Sequence, residues 1–188
     1  MHIEPPGSTE FSVSFSEYEI VGFHASSTYA SLQIESAGFL PHKILRPEIH
    51  QRLLDAAVEL GMRPLAIASY QQWLEMRSVT FTRIPATAIS HARSGFAGGQ
   101  GLQHVRAVLA EVSKRQHDPR LADEVQRELD VIAGARPVVY AVDLSNLHKR
   151  LVPAEDSPEY LRVYFNPYEP LPSTSIVGPT RLIARLDL

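Results

Sequence analysis

His24 lies within EIVGFHASSTYASLQIESAGFLP, residues 19–41, with Ser26, Ser27 and Thr28 close behind it. An imidazole followed by hydroxyls and a helix N-terminus can hold a polar ligand that carries phosphate or ribose. An isolated histidine at a strand end can equally do no more than satisfy a backbone carbonyl. Four glycines, Gly95, Gly98, Gly99 and Gly101, precede the helix that contains Leu102 and Gln103. They allow a close backbone approach to a ligand, or they form a surface loop. Their spacing is neither that of a phosphate-binding Walker loop nor G-x-G-x-x-G after a strand. His91, Arg93, His104 and Arg106 flank this cluster and offer cations and donors for a pyrophosphate.

Other chemistries are disfavoured by residue type and spacing. The chain has no cysteine, which removes disulfides, thiolate catalysis and zinc–sulfur sites. No histidine pair stands at metal-ligand spacing, so no metal is expected. No G-x-S-x-G elbow supports a serine hydrolase.

The elements that would position His24 are legible from periodicity. Val21 and Phe23 alternate with Ile20, Gly22 and His24, so a strand is expected to end at the histidine. Ser26, Ser27 and Thr28 supply N-cap oxygens. Ala30, Ile34 and Ala37 recur at helical spacing, and Gly38 suits the left-handed stop. Ile49, Leu53, Ala57 and Leu60 form the stripe of a second helix, with Pro47 in its first turn and Gly61 as its stop. Tyr70, Trp73, Leu74 and Arg77 suggest a third helix. Leu102, Val105, Leu109 and Val112 mark another. Asp118-Pro119 opens the last, whose stripe is Leu121, Val125, Leu129 and Ile132. Phe11, Val13 and Phe15 alternate with serines as a short strand. VTFTRI, PVVYAVDL, YLRVYF and TRLIARLDL also read as strands, with Arg181 and Arg185 on the solvated face of an edge. Strands and helices thus fall in blocks, which is α+β.

The chain has 188 residues, of which 44% are hydrophobic and 21% charged, and its net charge is −3. That suits one soluble domain with a substantial core and gives no general attraction to nucleic acid or anionic membrane. No apolar run reaches the length of a spanning helix. The first ten residues lack the basic and apolar regions of a Sec-type signal and read as a flexible leader. A cytoplasmic protein is expected, or one delivered into a target cell without that signal.

The segment around His24 resembles the opening of the ADP-ribosyltransferase fold, where a strand ending His-Gly-Thr/Ser is followed by a helix ending Gly-Phe. The matching residues here are His24-Ala25-Ser26 and Gly38-Phe39, over about 20 residues. The resemblance implies an α+β fold in which two small sheets form an NAD cleft. Residues 11–188 would form one such domain, with a helical insertion at about 44–90 that recognises a target or partner. In that family the histidine hydrogen-bonds the NAD ribose, and the next residue's backbone holds the nicotinamide amide. Carried over, His24 is a catalytic and NAD-binding residue, and Ala25, with alanine where glycine is usual, offers its backbone. Ser26 assists with its hydroxyl. Phe96, in Gly95-Phe96-Ala97, covers the nicotinamide, with Tyr29 and Tyr70 competing for that place. The family's late-strand glutamate is matched by Ser173, Thr174 and Ser175, which carry no charge. Glu169, in the loop FNPYEPLP, is the carboxylate left to supply the anion, or it is simply solvated.

The implied activity is transfer of ADP-ribose from NAD to a macromolecule, most readily a protein, by a bacterial toxin or effector. Two alternatives remain: a catalytically inactive binding module of the same fold, and an RNA 2′-phosphotransferase-like enzyme.

Overall fold

In the computed structural model, residues 1–41, 45–94, 99–147, 150–154, 157–165 and 175–188 are described. Two compact units emerge. The first comprises Met1–Pro41, Arg77–Ala97 and Ala135–Leu188, and the second His42–Met76 and Gly98–Gly134. The boundary expected near residue 90 therefore falls inside the first unit. The helical unit draws on two separated stretches.

The first unit is α+β and carries one mixed seven-stranded open sheet. Its strands are β1 (His2–Ile3), β2 (Val21–Ser27), β3 (Ser78–Thr82), β4 (Pro137–Asp143), β5 (Leu151–Ala154), β6 (Ser157–Tyr164) and β7 (Leu182–Asp187), in the order β1-β7-β4-β2-β3-β6-β5. Among the described residues, only β1 and β7 run parallel. The expectation of two separate sheets is corrected: the halves belong to one sheet, joined through a single registered pair, Phe23 with Thr82.

β4 is an interior strand of this sheet, between β7 and β2. Val138, Val139, Tyr140, Ala141 and Val142 are fully buried because both faces are covered, which explains the near-continuous apolar run PVVYAV. One face joins Tyr140, Phe81, Leu161 and Val163 to Ile34 of α1 (Thr28–Ala37) and to Phe39. The other joins Phe23, Val139 and Leu186 to Ala88 and Ala92, while Phe11, Val13 and Phe15 pack against it. Residues 11–15 alternate as expected but form no strand. Their aromatic rings pack on Phe23 at 5.3–5.6 Å instead of pairing backbone to backbone. The segment expected to be a flexible leader is held down: β1 pairs with β7, and the buried Glu4 accepts from the Ser12 N–H at 2.9 Å and hydroxyl at 2.7 Å.

The second unit contains α2 (Pro47–Glu59), α3 (Pro64–Glu75), α5 (Gly99–Arg115) and α6 (Pro119–Ala133), while α4 (Pro85–Arg93) belongs with the sheet. The Asp118 side chain caps α6 by accepting from the Leu121 N–H at 2.9 Å, and Leu121, Val125, Leu129 and Ile132 are all buried. Tyr70, Trp73, His50 and His104 form an aromatic cluster in which the Tyr70 hydroxyl meets His50 Nδ1 at 2.6 Å.

Candidate functional site at the pinch in the sheet

β2 does not stop at His24. It continues to Ser27 with every residue from Val21 onward registered against β4, and His24 lies opposite Tyr140. Ser27 is the residue before α1, but no side-chain oxygen caps that helix. Thr28 instead accepts the Arg136 N–H at 3.0 Å. The expected strand end and hydroxyl cap are thus replaced by a continuous strand whose polar side chains serve other bonds.

What is special at His24 is the neighbouring strand. Past Phe23 and Thr82, no further pair forms between β2 and β3. The imidazole reaches across and places Nδ1 2.8 Å from the Thr80 carbonyl oxygen. A carbonyl only accepts, so Nδ1 carries the proton and a neutral ring presents Nε2 as an acceptor. Burial holds the ring's pKa below the ordinary 6.5, against the opposing pull of the Thr80 carbonyl. The ring is wedged between Phe39, whose centroid is 4.8 Å away, and Phe81 at 5.5 Å. It remains half-buried, and Nε2 has no hydrogen-bond partner among the described residues.

The backbone beside it follows from the period of the strand. Ile20 gives its carbonyl to Leu144, and Thr28 its N–H to Arg136, so the even-numbered residues of β2 turn towards β4. Phe23 and Ala25 therefore turn the other way, towards β3. On β3 the Arg83 N–H goes to Glu159, so Thr80 and Thr82 face β2. Phe23 and Thr82 meet. Ala25 and Thr80, the next pair in line, do not. The Ala25 N–H and C=O consequently face the gap as one donor and one acceptor on a single residue. Ala25 has no positive φ, so this arrangement does not require glycine.

The wedge itself is anchored from below. Gly38 ends α1 at φ +82°, as the sequence suggests, and its N–H returns to Ile34. Phe39 then donates its N–H to Val177 at 3.0 Å, and its carbonyl accepts the buried Ser175 hydroxyl. Ser175, one of the three residues matched to the family's glutamate, is thus a fastener for the Phe39 backbone.

The other expected site residues are placed as follows. Ser26 is half-buried in β2, on the same face as His24. Tyr29 sits in the first turn of α1 and is 45% exposed. Tyr70 is buried in the helical unit. His91 stacks on Tyr160 in the sheet unit, whereas His104 stacks on Tyr70 in the helical one, so the set expected for a pyrophosphate is divided between the units. Phe96 and Glu169 lie outside the described residues. No group of three or more potential metal ligands occurs among the described residues.

Thr80, Phe81 and Tyr140 were not anticipated. Their signal is a strand pairing, which periodicity alone does not reveal. Arg185, expected to be solvated, is mostly buried. It bonds Glu35 of α1 at 2.8 Å and pairs with Asp187 through two contacts, and β7 is not an edge strand because β1 pairs with it. Glu35 also accepts the Tyr140 hydroxyl at 2.9 Å. A groove of about 740 Å³ between residues 9–15 and α4 lies on the face of the sheet opposite to His24. No helix among the described residues is long and apolar enough to cross a membrane. No family model matches the chain, and neither curated proteins nor solved structures contain a significant match to it.

Proposed function

We propose that this chain binds NAD at the gap between β2 and β3 and transfers its ADP-ribose to a macromolecular acceptor, with release of nicotinamide. An ADP-ribosyltransferase-like fold is part of the same reading, its two half-sheets meeting at the single pair Phe23–Thr82. The observation that carries it is the unfinished ladder. A primary carboxamide, like a peptide group, carries one carbonyl acceptor and N–H donors, which complement the Ala25 N–H and C=O. His24 Nε2, one position away, accepts from a ribose hydroxyl while the Thr80 carbonyl fixes the tautomer. In this reading Ser26 adds a hydroxyl on the histidine's face, Phe96 covers the nicotinamide ring and Glu169 stabilises the positive charge that develops as nicotinamide leaves.

Calorimetric titration with NAD and chromatographic detection of nicotinamide test the reading. His24→Ala is expected to weaken NAD binding about tenfold. Glu169→Gln is expected to leave binding in place and cut nicotinamide release by about 100-fold or more. Binding without turnover in the unaltered protein would favour a non-catalytic module. Failure of the unaltered protein to bind NAD at all would refute the proposal.

A further inference from the structure

β6 carries Tyr160, Arg162 and Tyr164 at every second position, so the three share one face at intervals of about 6.7 Å. The face is opposite to the core built on Leu161 and Val163. Cross-strand pairing extends it. Ser78, Thr80 and Thr82 of β3 lie beside Tyr164, Arg162 and Tyr160 respectively, and Val152 of β5 lies on the other side of Arg162. Arg150, one residue before β5, gives its carbonyl to the Tyr164 N–H and continues the row.

The chemistry of this face is uniform. Tyr164 is 43% exposed and Val152 46%, while Arg150 is exposed and Arg162 half-buried. Neither arginine side chain has an ion-pair or hydrogen-bond partner among the described residues. No described acidic residue falls on this side of the three strands. The Tyr160 ring is braced by His91, stacked on it at 6.0 Å and 13°. The Ser78 hydroxyl is buried with no partner. Two aromatic platforms and two uncommitted guanidinium groups, with the half-buried Thr80 beside Arg162, form the surface on which an open sheet recognises an unpaired strand. The rings stack bases, the cations take phosphates, and the Thr80 hydroxyl meets a 2′-OH.

We propose that this face of β3, β6 and β5 binds single-stranded RNA, through Tyr160, Tyr164, Arg150 and Arg162. The proposal does not depend on NAD, although the Thr80 row brings this surface next to the gap at Ala25.

Fluorescence anisotropy with a labelled 12-nucleotide oligouridine at low salt tests it, alongside DNA of matching sequence, a duplex RNA and polyglutamate. Oligouridine is expected to bind ahead of all three. Tyr164→Ala should weaken it about tenfold and Tyr164→Phe should not. Arg162→Ala should lower the slope of log affinity against log salt by about one. His24→Ala should leave oligouridine binding intact, which separates this proposal from the NAD reading. Equal binding of DNA, duplex or polyglutamate overturns the assignment to single-stranded RNA. So does undiminished binding by Tyr164→Ala and Arg162→Ala, or no oligouridine binding by a protein that binds NAD.

Discussion

His24 has two ring nitrogens with different tasks. Nδ1 is committed to Thr80, and only Nε2 is left to meet a ligand. Because burial lowers the ring's pKa in the folded state, the unfolded chain takes up a proton more readily than the folded one. This group therefore costs no stability well above pH 6.5 and makes the protein less stable as the pH falls through that value. His24→Gln should flatten this part of the stability–pH profile, measured by urea denaturation at pH 5 to 7.5. An unchanged slope would mean that the ring titrates freely and that its tautomer is not held. At this scale the sequence drew attention to His24 but gave it the wrong environment. His24 and its hydroxyl neighbours were visible as a cluster. Thr80 comes from a strand 56 residues away, and nothing local to either residue announces their bond.

Among the elements, α1 and its stop set the wedge. A side chain at residue 38 would meet the Val177 carbonyl oxygen and come within 2.7 Å of the Gly178 Cα, on a backbone already at φ +82°. Gly38→Ala is thus expected to destabilise the protein by more than about 2 kcal/mol, with the left-handed backbone alone costing about 1–2. Its thermal midpoint checks this, and a midpoint unchanged within error would show that the loop relaxes freely. Helices with an uninterrupted stripe were legible because one face is buried along their whole length, as in α6. α3 begins six residues before Tyr70, the first residue of its expected stripe, at Pro64. The exposed Leu65 gives that first turn no periodic signal. β5 went unread because four residues containing a proline carry no clear alternation, and its pairing with β6 supplies the order.

For the whole molecule, the fold class was legible and the assembly was not. Blocks of helix and strand indicate α+β, but the sheet unit is collected from three separate stretches of chain. That bookkeeping depends on long-range burial. Glu4 illustrates it. Its sequence context, HIEPPG, reads as a loose start, yet the carboxylate is buried. Burial opposes its ionisation, and the two bonds from Ser12 together with the neighbouring His2 outweigh that penalty and hold its pKa below 4.5. The stabilisation is present above the ordinary glutamate pKa and lost as the pH falls through the lowered one. Glu4→Gln should cost about 1.5–3 kcal/mol near neutrality and speed hydrogen exchange in residues 2–15. Unchanged exchange there would show that the Ser12 contact holds nothing in place.

The short β1 matters beyond its two residues. Laid along β7, it occupies a margin that would otherwise offer backbone groups to a foreign strand. At the far margin, Pro153 interrupts the four residues of β5 with a position that has no N–H to donate. Both flanks are thereby poor templates for end-to-end growth, and the molecule can keep an open sheet without inviting its own copies to extend it into fibres.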